Sequence, residues 1–198
     1  MDMKSKKNFI TILAVVVFLV FVPCTNNSQT GKEIQPGLTK EPVKTVVDFL
    51  KWYRENYEKI SKIQMVNIPP LEDHDSVYTV NFEEIEEYLT YLKTSGFVSD
   101  KYLQQWRDFL VKAGKKLEQD KVNDGPPEGF DFDFVLWTQE INDTLEAIKN
   151  PKLISSKITQ NKAVVKIDIM MRLEFKLSKQ NDKWLINDIQ NLGMFNST

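Results

Sequence analysis

Two aspartates one residue apart, Asp131 and Asp133, with Trp137 and Gln139 close behind, are the part of this chain best equipped for polar chemistry. A carboxylate enclosed in a cavity has its pKa raised by desolvation and can act as a general base near neutral pH. The competing use is structural. The segment joins a Pro/Gly-rich stretch to an apolar-periodic one, so Asp133 is placed to cap a following helix while Asp131 anchors the loop. Capping explains the placement without a ligand, so no catalytic residue is assigned. Asp131, Asp133, Trp137 and Gln139 are the candidate ligand-binding residues.

His74, the only histidine, sits in Glu72-Asp73-His74-Asp75. A metal centre gathers three or more ligands from separated segments, and a local acidic run reads as a solvated loop. Neither a metal nor a cofactor is expected. A serine triad would have to draw its imidazole from His74 alone, and a cysteine–histidine pair would need Cys24, the only thiol.

Cys24 has another use. Lys4, Lys6 and Lys7 precede an apolar run, residues 9–22 (FITILAVVVFLVFV), broken only by Thr11. The run suits the hydrophobic region of a signal peptide and falls short of the roughly 20 residues that span a bilayer. A cysteine closing such a run resembles the lipobox of bacterial lipoproteins, in which the thiol is acylated and becomes the new N-terminus. Residues 1–24 are therefore expected to be a signal peptide with Cys24 as lipid-attachment site, the alternatives being an uncleaved signal-anchor or cleavage nearby without lipid. Residues 25–41 (TNNSQTGKEIQPGLTKE) are polar and aperiodic and read as a flexible tether with a reach of about 20–25 Å. The implied location is the cell envelope, as an outer or cytoplasmic membrane lipoprotein with its domain outside the cytoplasm.

Residues 42–198 are expected to form a single domain, α+β in class. With 41% hydrophobic and 27% charged residues the chain has globular composition, and its length fits one core. Residues 1–23 contain three lysines and one aspartate, so the formal charge of −2 becomes −4 for the remainder. Its lysines and glutamates are scattered, and nucleic acid is not an expected partner.

After Pro42, apolar residues at Val43, Val46, Val47, Leu50, Tyr53, Tyr57 and Ile60 recur at helical steps. Trp52 and Phe49 lie off that stripe. Residues 64–81 read as a loop with an extended piece near 77–80. Asn81, with Glu84 three residues on, opens a second helix that Gly96 stops. Ser99 caps a third, carrying Tyr102, Leu103, Trp106, Leu110, Ala113 and Leu117, and the short connection implies an antiparallel hairpin. Residues 120–131 are a loop, and Phe134, Trp137, Ile141, Leu145 and Ile148 keep helical spacing up to Asn150-Pro151. From Ala163 to Leu177 every odd position is apolar, which predicts one long half-buried strand, about 50 Å at roughly 3.3 Å per residue, forced to bend or bulge. A strand over 153–160 precedes it, and a turn at 178–182 leads to a last strand over 184–190. Helices first and an antiparallel meander last is an α+β layout.

Helices followed by a bent meander ending in Trp184-Leu185-Ile186 resemble the nuclear-transport-factor-2-like (cystatin-like) roll. The aromatic helix segment 47–53 (VDFLKWY) and the segment 131–140 (DFDFVLWTQE) are similar to the domain-of-unknown-function family number 3828 of small exported bacterial proteins. That resemblance implies a fold and a compartment but no activity. In such rolls, carboxylates in the concave cavity act as bases in isomerases and dehydratases. The function expected is a membrane-tethered, non-catalytic binding module for a small ligand, a glycan or a protein. The alternatives are a carboxylate-dependent isomerase or hydratase, and an inhibitor or immunity-type protein.

Overall fold

In the computed structural model, which describes residues 37–38, 41–70, 77–122 and 125–193, the apolar steps after Pro42 wind into helix α1 (Val43–Ile60). Cys24, His74 and the apolar run 9–22 lie outside the described residues. All described residues belong to one unit, Ile34–Thr198, and no described helix is long and apolar enough to cross a membrane. Helix α1 buries the expected stripe, except for half-buried Tyr57, and also Phe49, which packs between Tyr53 and Phe97, while Trp52 lies half-buried against Tyr91.

A two-stranded ribbon follows, β1 (Val66–Asn67) pairing antiparallel with β2 (Thr79–Val80). Helix α2 (Phe82–Thr94) starts where the Asn81 side chain accepts from the Glu84 N–H at 3.3 Å. It ends where Gly96 takes φ +68°, a left-handed conformation that glycine adopts without a Cβ penalty. Helix α3 (Asp100–Gln119) starts at Ser99, whose hydroxyl accepts from the Tyr102 N–H at 3.2 Å. Ion pairs Lys93–Asp100 and Glu86–Arg107 join positions that recede from the turn at equal pace, so α2 and α3 are antiparallel. Gly114 lets the ribbon close on α3: an added Cβ would lie 3.0 Å from Phe82 Cζ and 3.1 Å from Val80 Cγ2.

The four-stranded sheet is an antiparallel meander in the order β3 (Lys152–Thr159), β4 (Lys162–Asp168), β5 (Arg172–Gln180), β6 (Lys183–Asn191). Helices therefore lie on one face of an antiparallel sheet, an α+β fold. The inner face is filled by Val165, Ile167, Leu173, Phe175 and Ile186, all buried. Its other face carries ion pairs Lys166–Glu174 and Lys176–Asp188. The connection between α2 and α3 covers the free edge of β6 through Ser99 N–H to Ile186 O and Ile186 N–H to Phe97 O, at 2.9 and 2.8 Å.

The single long strand over 163–177 is not formed. Ile169, Met170 and Met171 turn the chain, and β4 pairs back on β5 with Asp168 opposite Arg172. All the odd positions except half-buried Met171 are still buried. A three-residue connection pairs odd with odd, so both strands show the same parity to the core and alternation cannot reveal the turn. The turn costs backbone strain, since Met170 takes φ +76° with its side chain 61% exposed. Met170→Gly is expected to stabilise by about 0.5–1 kcal/mol, read as a melting temperature raised by about 2–3 °C. A lower melting temperature would show that the side chain contributes more than the strain costs.

The expected helix from Phe134 is also shorter: α4 spans only Ile141–Ala147. Phe134, Val135 and Leu136 are buried in succession, which one face of an amphipathic helix does not allow. Trp137 at φ +55° ends the turn they make.

Candidate functional site

The site grows from that turn. Asp133 Oδ1 accepts from the Val135 and Leu136 N–H groups at 3.0 and 2.6 Å, and its carbonyl accepts from the Trp137 N–H at 2.7 Å. Its own N–H donates to Thr138 O at 3.0 Å, closing residues 133–138 into one knot. Asp133 thus caps a single turn instead of the helix the sequence predicts. Its second oxygen, Oδ2, accepts from the Tyr53 hydroxyl at 2.7 Å, tying the turn to α1. Asp131 anchors its loop by its backbone and not its carboxylate: Gln139 Nε2 donates to Asp131 O at 2.7 Å.

These residues wall a pocket of about 430 Å³. One side is the end of α1 and the residues leading into β1, including Tyr53, Tyr57, Gln64 and Met65. The other is the 130–141 segment, with Phe130, Asp131, Phe132, Asp133, Thr138 and Gln139, and Tyr88 of α2 also contributes. No residue of the four-stranded sheet lines it. The helix-facing side of the sheet is packed with side chains, so the carboxylates gather at the helix ends instead of in a sheet cavity.

Trp137, expected beside them, is not among the residues lining this pocket. Its indole Nε1 donates to Ile189 O at 3.1 Å, its ring stacks on Phe132, and its carbonyl accepts from Asn191 Nδ2 at 3.3 Å. It bolts the loop to β6. Trp106 and Trp184 are core residues, as their stripes imply.

Burial dominates the electrostatics. Part of the Asp133 surface stays open to the pocket, yet protein atoms crowd the carboxyl on nearly all other sides. That desolvation pushes its pKa up, and hydrogen bonds from Tyr53, Leu136 and Val135 offset the rise only in part. Burial likewise holds the Tyr53 and Tyr88 phenols well above the usual tyrosine range, and the neighbouring Asp133 carboxylate adds to both shifts. Tyr57, less enclosed, is raised by the same two causes. The Tyr88 hydroxyl lies in the field of Tyr53 and Asp133 but makes no hydrogen bond of ordinary geometry.

Sequence reasoning missed Tyr53, Tyr57 and Tyr88 as site residues. The first two stand in the apolar stripe of α1, where aromatic rings read as core. The available signal was the hydroxyls: buried phenols need partners, and two tyrosines one helical turn apart imply a polar neighbour. Among the described residues no group of three or more His, Cys, Asp or Glu side chains is placed to hold a metal ion. Comparison with family models, curated proteins and solved structures returns no match.

Proposed function

We propose that this chain is a membrane-tethered, non-catalytic binding module of the bacterial cell envelope, attached through Cys24, with the pocket beside Asp131 and Asp133 as its ligand site. The reading keeps the resemblance to exported lipoproteins of domain-of-unknown-function family number 3828 and to the cystatin-like roll. One observation carries the non-catalytic part. Both oxygens of Asp133, the most enclosed carboxylate of the pocket, already accept hydrogen bonds from the chain itself. A carboxylate committed in this way positions a loop, and its lone pairs are poorly placed to take a proton from a substrate. What remains toward the pocket is a wall of aromatic rings, amides and one further carboxylate, the mixture that small-molecule sites use.

A carboxylate-dependent enzyme is the second reading, favoured by the raised pKa of Asp133 in an accessible pocket. The Asp133 variants treated in the Discussion separate the two. Attachment is tested by expressing the full chain and Cys24→Ser in a bacterial host and fractionating the cells. The wild type is expected in the membrane fraction with an acyl-modified N-terminus, and the variant is expected to lose the acyl mass. Equal partitioning of both forms without acyl mass would make the apolar run itself the anchor.

A further inference from the structure

We infer that the occupant of this pocket is a small organic cation of the alkylammonium class. The inference rests on the reading of the pocket as a ligand site and adds the chemistry of what fills it. Among the described residues that line the pocket, Asp131 and Asp133 are the only charged side chains, with no lysine, arginine or histidine beside them. The nearby Lys62 is held by Glu58 at 2.9 Å. A ligand carboxylate or phosphate would meet like charge and no basic partner, whereas a cation would be attracted.

The two aspartates differ in a way that matters. Asp133 is spent on the turn and on Tyr53, but the half-buried Asp131 carboxylate has no hydrogen-bond or ion-pair partner among the described residues. The lining of the same pocket is rich in aromatic rings, among them Tyr53, Tyr57, Phe130 and Phe132. Aromatic faces attract alkylammonium groups through the ring quadrupole, most strongly where water is displaced. A second polar group is in waiting. Tyr88 lines the pocket, is only 2% exposed, and its buried hydroxyl has no partner of ordinary hydrogen-bond geometry. A bare metal ion is less suited, because Asp133 is occupied and no third acidic ligand converges among the described residues.

The test is a titration of the full chain in detergent micelles, followed by NMR, with choline, with its uncharged tert-butyl isostere, and with N-acetylglucosamine. Choline is expected to shift resonances of Tyr57, Asp131 and Gln139, with affinity about tenfold above that of the isostere. Asp131→Asn, which removes charge but no internal hydrogen bond, is expected to erase most of that difference while leaving the isostere unaffected. If the isostere binds as well as choline, or if Asp131→Asn leaves choline binding unchanged, the cation class is wrong and the pocket reading stands. Shifts at the same residues with N-acetylglucosamine alone would likewise overturn the cation in favour of a glycan. If none of the three perturbs the pocket, the ligand-site reading falls together with the cation.

Discussion

Ile169→Asp is expected to lower stability by about 4–5 kcal/mol, enough to leave much of the protein unfolded at growth temperature. Ile169 opens the turn just after β4 on the core side and is 1% exposed, and an unpaired carboxylate there would have no partner to repay its desolvation. Its neighbour provides the control. Asp168 is half-buried on the opposite face of the strand, across from Arg172. Asp168→Ile is expected to change stability by about 0.5 kcal/mol or less. Urea melts of the two variants decide the matter through their midpoints. Similar losses for both would mean that the sheet is buried on both faces, contrary to its ion-paired outer surface.

Asp133→Ala should be the next most damaging change, costing about 3 kcal/mol and about 10 °C in melting temperature. It strands two backbone N–H groups and the buried Tyr53 hydroxyl at once. Asp133→Asn keeps an acceptor for the two N–H groups, and the Tyr53 oxygen can accept from the new amide, so its loss should be about 1 kcal/mol or less. pH adds a signed test. Burial raises the folded-state pKa of Asp133 above the ordinary 3.8, so the folded protein binds this proton more tightly than the unfolded chain. The resulting stability is whole below the unfolded value and is lost as pH rises through the folded one. The exposed carboxylates of Glu58 and Glu128, lowered by Lys62 and Lys116, act in the opposite direction. They are common to both proteins and cancel in a comparison. Stability of the wild type relative to Asp133→Asn should therefore fall as pH is raised from about 4 toward neutrality. A flat difference would mean that the carboxyl is better hydrated than its surroundings imply. An Asp133→Ala variant that melts above the wild type would remove the structural role and return the enzyme reading to first place.

Local patterns were legible where the physics is local. The stripes of α1 and α3, the Asn81 and Ser99 caps and the left-handed Gly96 are each decided within a few residues, and they stand close to where the sequence places them. The hairpin between β5 and β6 was marked by Asn181-Asp182, whose positive φ angles suit such residues, although β5 runs on to Gln180. The turn at Met170 carried no such marker, and its odd length preserved the alternation that would otherwise have betrayed it. A bulge at Asn187 conversely switches the inward parity of β6 from Ile186 to Ile189, because only the partner strand decides which residue goes unpaired.

The site divides along the same line. From the sequence alone follow the acidic pair in a turn-rich segment, the value of Asp133 as a backbone cap, and the scarcity of histidine and cysteine that narrows the chemistry. Tertiary structure alone decided that Tyr53, 80 positions earlier in the chain, would meet Asp133. It also decided that Trp137 would lean away onto β6 and that the cavity would open at the helix ends instead of over the sheet. Capping is a contact between neighbours in the chain, and residue type predicts it. A pocket is the volume left between elements after each has buried its apolar face, and no single segment contains the information that sets its walls.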